Sequence, residues 1–197
     1  MKLVLASSNP GKLREIGELL APLAIEVIPQ QDLRIEEAQE PHATFLENAL
    51  AKARHASRAA RLPALADDSG LCVEALGGAP GVHSSTYAGR EGSREQRDAR
   101  NNEKILQNLK NDRRAYYCCV IVLARHAEDP RPLVAQGIWR GEIARAPRGA
   151  NGFGYDPLFL LPLLGKTAAE LDPREKNRIS HRGIALRKLV GLLNDKA

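Results

Sequence analysis

The chain reads as an α/β protein with a mixed β-sheet, and three features carry that expectation. Near the start, the apolar run Lys2 to Ala6 gives way to the polar loop Ser7-Ser8-Asn9-Pro10-Gly11-Lys12 and then to a helical pattern on Leu13, Ile16, Leu19 and Leu20. That is the strand, loop, helix order of open α/β folds. In the middle, the apolar run Leu62 to Ala66 meets Asp67-Asp68-Ser69-Gly70, so a strand ending there would deliver two carboxylates to the rim of a sheet. Further on, Arg114 to Ala124 and Leu133 to Ile143 read as two strands joined by a turn at Asp129-Pro130, a hairpin whose antiparallel pairing makes the sheet mixed.

Each element has its own signal. Asn9 is a good N-cap and Pro10 suits the first helical position, so the N–H groups of this turn point outward with the positive end of the helix dipole behind them. The layout either holds phosphate or merely starts a helix, and it is not a Walker A motif. A second strand is expected over Ala24 to Ile28, followed by a loop to His42 that carries Glu36, Glu37 and Glu40. Thr44-Phe45-Leu46-Glu47 reads as a capping box opening a helix to about Arg61, with Pro63 as its stop. Its cations Lys52, Arg54, Arg58 and Arg61 read as a solvated face rather than a nucleic-acid surface.

Leu71, Val73 and Ala75 alternate as in a half-buried strand, Gly77 to Gly81 is a bend, and Ser93-Arg94-Glu95-Gln96 caps a polar helix to about Leu109. Asp172-Pro173-Arg174-Glu175 starts a short helix that includes Lys176. Ser180-His181-Arg182-Gly183 then leads into a last helix with Ala185, Leu186, Leu189, Val190 and Leu193 on one face. Two potential cations in a first turn oppose the helix dipole, which points to an anionic or carbonyl partner for His181 and Arg182.

The 197 residues are read as one domain, 1–197, with a formal net charge of +5 spread along the chain, which favours anionic partners. Cys72, Cys118 and Cys119 have no metal-type or C-x-x-C spacing and read as reduced thiols. No apolar run is long enough for a signal core or a membrane helix, so the expectation is a soluble cytoplasmic protein without membrane contact. No Ser-His-Asp nucleophile set and no zinc spacing stand out.

Two stretches carry chemistry. Asp67-Asp68-Ser69-Gly70 is either a turn or a pair of acids suited to a metal and a water nucleophile. Arg148 to Pro157 is glycine-dense yet holds Phe153, Tyr155 and Asp156, so the aromatics form either a platform on which a base stacks or part of the core.

Four separated motifs resemble the inosine triphosphate pyrophosphatase family, the XTP/dITP diphosphatases. They are Ser7-Ser8-Asn9-Pro10-Gly11-Lys12; Thr44-Phe45-Leu46-Glu47-Asn48-Ala49 with Glu40 before it; Leu65-Ala66-Asp67-Asp68-Ser69-Gly70-Leu71; and Gly152-Phe153-Gly154-Tyr155-Asp156-Pro157 with Glu175-Lys176 and Ser180-His181-Arg182. Each is weak alone, but their order and spacing over nearly the whole chain are specific. Where the family often has Thr at the first loop position this chain has Ser7, which keeps the hydroxyl.

The resemblance implies a two-lobed α/β fold around a long mixed sheet flanked by helices, an active-site cleft between the lobes, and a homodimer. It implies Mg²⁺-dependent hydrolysis of ITP, dITP or XTP at the α–β phosphoanhydride bond to the monophosphate and pyrophosphate. By motif, Ser7, Ser8, Asn9, Pro10, Gly11, Lys12 and Ser69 would hold phosphates. Asp68 would be the proton acceptor and a metal ligand, with Glu40 helping to carry the metal. Phe153, Gly154, Tyr155, Asp156, Lys176, His181 and Arg182 would hold the base and its neighbouring groups. An ordinary Asp has a pKa near 3.9 and is a poor base for free water, so Asp68 is better described as positioning a metal-assisted water.

Two other readings compete. Maf-type nucleotide pyrophosphatases begin with a similar strand and Ser-rich loop, but they favour Arg-Arg where this chain has Gly11-Lys12 and lack the Ser-His-Arg element. An RNA-binding module would suit the basic balance, yet acids dilute the cations and the candidate stacking aromatics lie in one loop, which argues against a nucleic-acid partner.

Overall fold

A computed structural model describes residues 2–23 and 25–194. The chain forms two compact units: one takes Met1–Asp68, Cys119–Gly137 and His181–Ala197, the other Ser69–Cys118 and Ile138–Ser180. The strands are β1 (Lys2–Leu5), β2 (Glu26–Pro29), β3 (Ala64–Val73), β4 (Arg114–Ala124), β5 (Leu133–Ile143), β6 (Phe159–Leu161) and β7 (Lys166–Thr167). They form one sheet in the order β2-β1-β3-β4-β5-β6-β7. It is mixed, as expected: β1 runs parallel to β2 and β3, and β6 runs antiparallel to β5 and β7.

The helices are α1 (Pro10–Leu20), α2 (Phe45–Ala60), α3 (Arg94–Asn108), α4 (Pro173–Ile179) and α5 (His181–Asn194). In the first unit, α1 and α5 bring Ile16, Leu20, Leu186 and Leu189 onto Leu3, Leu5 and Ile121 to make an aliphatic core. The core of the second unit is aromatic at its centre, with the Phe159 ring 4.7 Å from Tyr117 and 5.0 Å from Trp139. Ile105 of α3 and Leu158 close around it.

Local chemistry explains most element ends. Asn9 caps α1 by accepting from Gly11 N and Lys12 N, and Ser93 makes a full capping box with Gln96 on α3. On α2 the box is half formed: Thr44 Oγ1 accepts from Glu47 N and donates to the Glu47 carboxylate at 2.6 Å. The long strands β4 and β5 have the expected bounds, and buried Asp129 ties their connection by accepting from Arg125 N, Nε and Nη2 and from Arg131 N. Glu26–Pro29 replaces the strand expected over Ala24 to Ile28, where Ala24 lies outside the described residues.

The main departure is β3. The acids were expected where a strand ends at a turn, but β3 runs on through Asp67-Asp68-Ser69-Gly70 to Val73, fusing two expected runs into one ten-residue strand. The residue types are those of a turn. Neighbouring cations supply what a turn would have taken from water, so the two acids stay buried in mid-strand. Among the described residues, no helix is long and apolar enough to cross a membrane.

Candidate active site

Successive residues of a strand point to opposite faces, so Asp67 and Asp68 build two different environments. Asp67 is fully buried, with Lys12 Nζ 2.6 Å from Oδ1 and Arg182 Nε 3.2 Å from Oδ2. Cys119 Sγ donates to Oδ2 at 3.4 Å. The Arg182 guanidinium, itself 2% exposed, also pairs through Nη1 with Glu15. Lys12 and Glu15 stand three residues apart on α1, one face of the helix, and Lys12, Asp67, Arg182 and Glu15 follow one another as a run of alternating charge. Burial works to raise the Asp67 carboxyl, yet Lys12 and Arg182 hold it well below the usual carboxylate range. Burial and the Asp67 charge together push the Cys119 thiol up, so it remains protonated.

Asp68 belongs to a second cluster. Lys52 Nζ lies 3.0 Å from Asp68 Oδ1 and 2.6 Å from Glu40 Oε1, an ammonium held between two carboxylates. Asp68 Oδ2 is buried without a hydrogen-bond partner among the described residues. Burial raises the Asp68 carboxyl above its ordinary value, with Lys52 and Lys12 opposing the rise. Glu40 sits in the loop before α2, and buried Asn48 fixes that loop by accepting from His42 N and donating to His42 O.

The expected phosphate loop is present but differently wired. Pro10 has no N–H, Asn9 Oδ1 takes Gly11 N at 3.0 Å and Lys12 N at 3.3 Å, and Leu13 N goes to Asn9 O. The N–H groups expected to face outward are therefore engaged by the cap. Asn9 N in turn donates to Ser7 Oγ at 3.2 Å, and Ser7, Ser8, Asn9 and Gly11 are half-buried. Ser69 follows Asp68 on β3, where it is half-buried.

In the second unit, the glycine loop gathers on Asp156. Its Oδ2 accepts from Lys176 Nζ at 2.6 Å and from Phe153 N at 2.8 Å, and Tyr117 Oη lies 3.5 Å from Oδ1. Gly152 adopts φ +79°, and a side chain there would run into the Asp156 carboxylate. Gly154 N donates to Asp98 Oδ2 at 2.9 Å, and Asn102 Nδ2 donates to Gly154 O at 2.8 Å. The loop is thus pinned at both faces of its peptide chain. Two cations flank the half-buried Phe153 ring: Lys176 Nζ 5.0 Å and the Arg94 guanidinium 5.2 Å from its centroid, within cation–π range.

The two aromatics of the loop, for which stacking and core were both open, divide between them. Tyr155 belongs to the core, its hydroxyl donating to Ser84 O at 2.8 Å, whereas Phe153 stays half-buried at the surface of the loop. The expected donor set of Lys176, His181 and Arg182 also divides. Lys176 is tied to Asp156 in the second unit. His181 opens α5 in the first unit, where any side chain at Gly137 would strike its carbonyl oxygen. Arg182 is bound there to Asp67 and Glu15. The anionic partner inferred from two cations in a first turn is, for Arg182, this internal pair of carboxylates. Lys52, expected to be solvated, is buried. Sequence reasoning also missed Glu15, Asn48, Cys119 and Arg94 at these clusters.

Comparison with known proteins gives the family. A model of the Ham1 family matches residues 3–192. A dITP/XTP pyrophosphatase of Burkholderia pseudomallei is 62% identical over 196 residues, covering 98% of this chain and 94% of that protein. One from Nitrosomonas europaea is also 62% identical, covering 98% and 95%. Among solved structures, a HAM1 protein from Coxiella burnetii is 51% identical, covers 99% of both chains and superposes with a TM-score of 0.91. A nucleoside-triphosphatase described as a dITP/XTP pyrophosphatase, from Mycobacterium abscessus, is 41% identical with a TM-score of 0.75, covering 98% of this chain and 100% of that one.

Proposed function

The chain belongs to the Ham1 family, and we propose that it hydrolyses the non-standard purine nucleoside triphosphates dITP, ITP and XTP at the α–β phosphoanhydride bond, with Mg²⁺, to the monophosphate and pyrophosphate. The observation that carries the substrate class is identity of about three residues in five, end to end, with relatives named dITP/XTP pyrophosphatase. The buried carboxylate and ammonium clusters supply the chemistry that reaction needs.

Mg²⁺ fits the residues present. Asp68 keeps one carboxylate oxygen unpaired in a buried place, and Asp68 and Glu40 already share a cation in the form of Lys52. Mg²⁺ commonly takes one or two protein carboxylates and completes its shell with water and substrate phosphates. Accordingly, no group of three or more acid, His or Cys ligands is needed, and none occurs among the described residues. Asp68 and Glu40 would hold the ion, which supplies charge neutralisation on the triphosphate and acidifies the attacking water.

The protein's own groups do the rest. Asp68 orients a water for in-line attack on the α-phosphorus and accepts its proton; the bond from the water oxygen to phosphorus forms as the bond to the bridging oxygen breaks, and the pair of electrons leaves on pyrophosphate. Lys12, held in place by Asp67, would stabilise that developing charge, with the hydroxyls of Ser7, Ser8 and Ser69 as further donors. For the base, Phe153 offers a stacking face and Lys176 a donor suited to the 6-carbonyl of hypoxanthine and xanthine. Adenine presents an amino donor at that position, and each buried donor left unpaired costs about 1 to 3 kcal/mol, which disfavours ATP.

A panel of nucleoside triphosphates assayed with Mg²⁺, with the phosphate product identified, tests the reading. Pyrophosphate released from dITP, ITP and XTP well ahead of ATP and GTP is the expected result. Orthophosphate as the primary product would overturn the assignment of the bond.

A further inference from the structure

Lys52 has a role that the hydrolytic reading does not assign. Its ammonium lies 2.6 Å from Glu40 and 3.0 Å from Asp68, in the place between the two carboxylates that a cation shared by them would take. The side chain is 11% exposed and that of Asp68 is 8% exposed, so bulk water screens this pair weakly. In the linked ion-pair clusters four carboxylates, Glu15, Glu40, Asp67 and Asp68, face three cations, Lys12, Lys52 and Arg182, leaving one net negative charge. That is little to set against the strong hydration of a free Mg²⁺ ion, which gives up its water reluctantly.

We propose that Lys52 is an internal counter-ion that keeps the nucleotide-free protein from binding Mg²⁺, so that the metal enters with the triphosphate and the Lys52 ammonium leaves Asp68 only then. The inference rests on Asp68 and Glu40 as the metal carboxylates. The four-carbon stem of Lys52 gives the ammonium freedom to swing, whereas Glu40 and Asp68 are fixed by the Asn48 clamp and by β3.

Calorimetric titration of nucleotide-free protein with MgCl₂ tests this directly, alongside thermal unfolding with and without Mg²⁺. The wild-type protein should show no binding tighter than the millimolar range, and micromolar binding would overturn the proposal. Lys52→Met, which keeps the stem and removes the charge, should bind Mg²⁺ at least about tenfold more tightly, because two net negative charges then face the ion across a few ångströms. Lys52→Arg should remain as weak as wild type. The gain in Lys52→Met should vanish when Asp68→Asn is added, which locates the new affinity.

A folded Lys52→Met that binds Mg²⁺ no better than wild type would also overturn the idea, and the wild-type titration decides the matter if that variant does not fold. If wild-type turnover proves independent of Mg²⁺, the metal reading itself fails. If turnover needs Mg²⁺ but Lys52→Met gains no affinity, only the counter-ion role fails.

Discussion

The two units build a buried polar site in different ways. In the first, charge is cancelled by charge: Asp67 and Asp68, adjacent on β3, are each matched by cations from helices, and those cations are matched in turn by Glu15 and Glu40. In the second, a single buried ion pair, Lys176 with Asp156, is joined by the backbone donors Phe153 N to Asp156 and Gly154 N to Asp98, and the loop presents one aromatic face. Loss of one member of a buried run of alternating charges strands its neighbours in the interior, whereas a side chain that only offers a face can be removed with local effect. The first cluster should therefore tolerate substitution badly and affect every substrate alike, and the second should tolerate it well and affect nucleotides by their base.

Arg182→Ala is the strongest test of that contrast. It leaves Asp67 and Glu15 buried with half their compensation, and breaking a buried pair in this way costs about 3 to 5 kcal/mol. Chemical denaturation should show a loss of that order, and residual turnover should fall by similar factors for dITP, XTP and ATP. A narrowed selectivity between XTP and ATP in a stable Arg182→Ala protein would instead place the guanidinium at the base. The same run of charges gives a pH signature. Because the Asp67 carboxyl titrates below its ordinary value of 3.8 in the folded state, its contribution is present above that value and is lost as pH falls through the lower folded value. The stability advantage of wild type over Asp67→Asn should hold constant from neutral pH down to that region and shrink below it, as read from denaturant midpoints across a pH series.

Next in size is Asp68→Asn. The amide keeps the shape but lacks the charge that holds the metal and orients the water, so kcat should drop about a hundredfold or more, a barrier increase of about 2.7 kcal/mol or above. Its stability should change less than that of Arg182→Ala, because Lys52 retains Glu40 as a partner. Near-normal turnover in a folded variant would move the chemistry off Asp68.

Much of this was legible beforehand where one element carries its own signal. Asn9 and Pro10 mark the start of α1, Ser93 and Gln96 that of α3, and β4 and β5 are long apolar runs with a turn between them. The charge clusters were not legible, because their members come from α1, α2, β3 and α5 and meet only in three dimensions. Asp-Asp-Ser-Gly is turn chemistry by residue type, and only the arrival of Lys12, Lys52 and Arg182 makes it a buried strand. One signal was available and passed over: Lys52 falls on the stripe Ala49, Lys52, Ala53, Ala56, the buried face of α2, where a cation needs an interior partner. Glu15, three residues after Lys12 on α1, belongs to the same class.

The smallest effect separates the two regions most cleanly. Phe153 is half-buried and ties the Asp156 loop through its backbone N–H, which Phe153→Leu keeps, so that variant should leave the fold and the loop in place. What is lost is a flat face, and stacking of a base on an aromatic ring contributes about 1 to 3 kcal/mol. The KM for dITP should rise roughly tenfold, corresponding to about 1.4 kcal/mol, while kcat changes much less. Inorganic tripolyphosphate has no base, so its inhibition constant should be the same for wild type and Phe153→Leu. In Lys12→Ala, by contrast, it should weaken. If Phe153→Leu weakens tripolyphosphate as much as dITP, the ring acts by holding Lys176 and Arg94 in place, and the division between a charge-built and a face-built region would have to be redrawn.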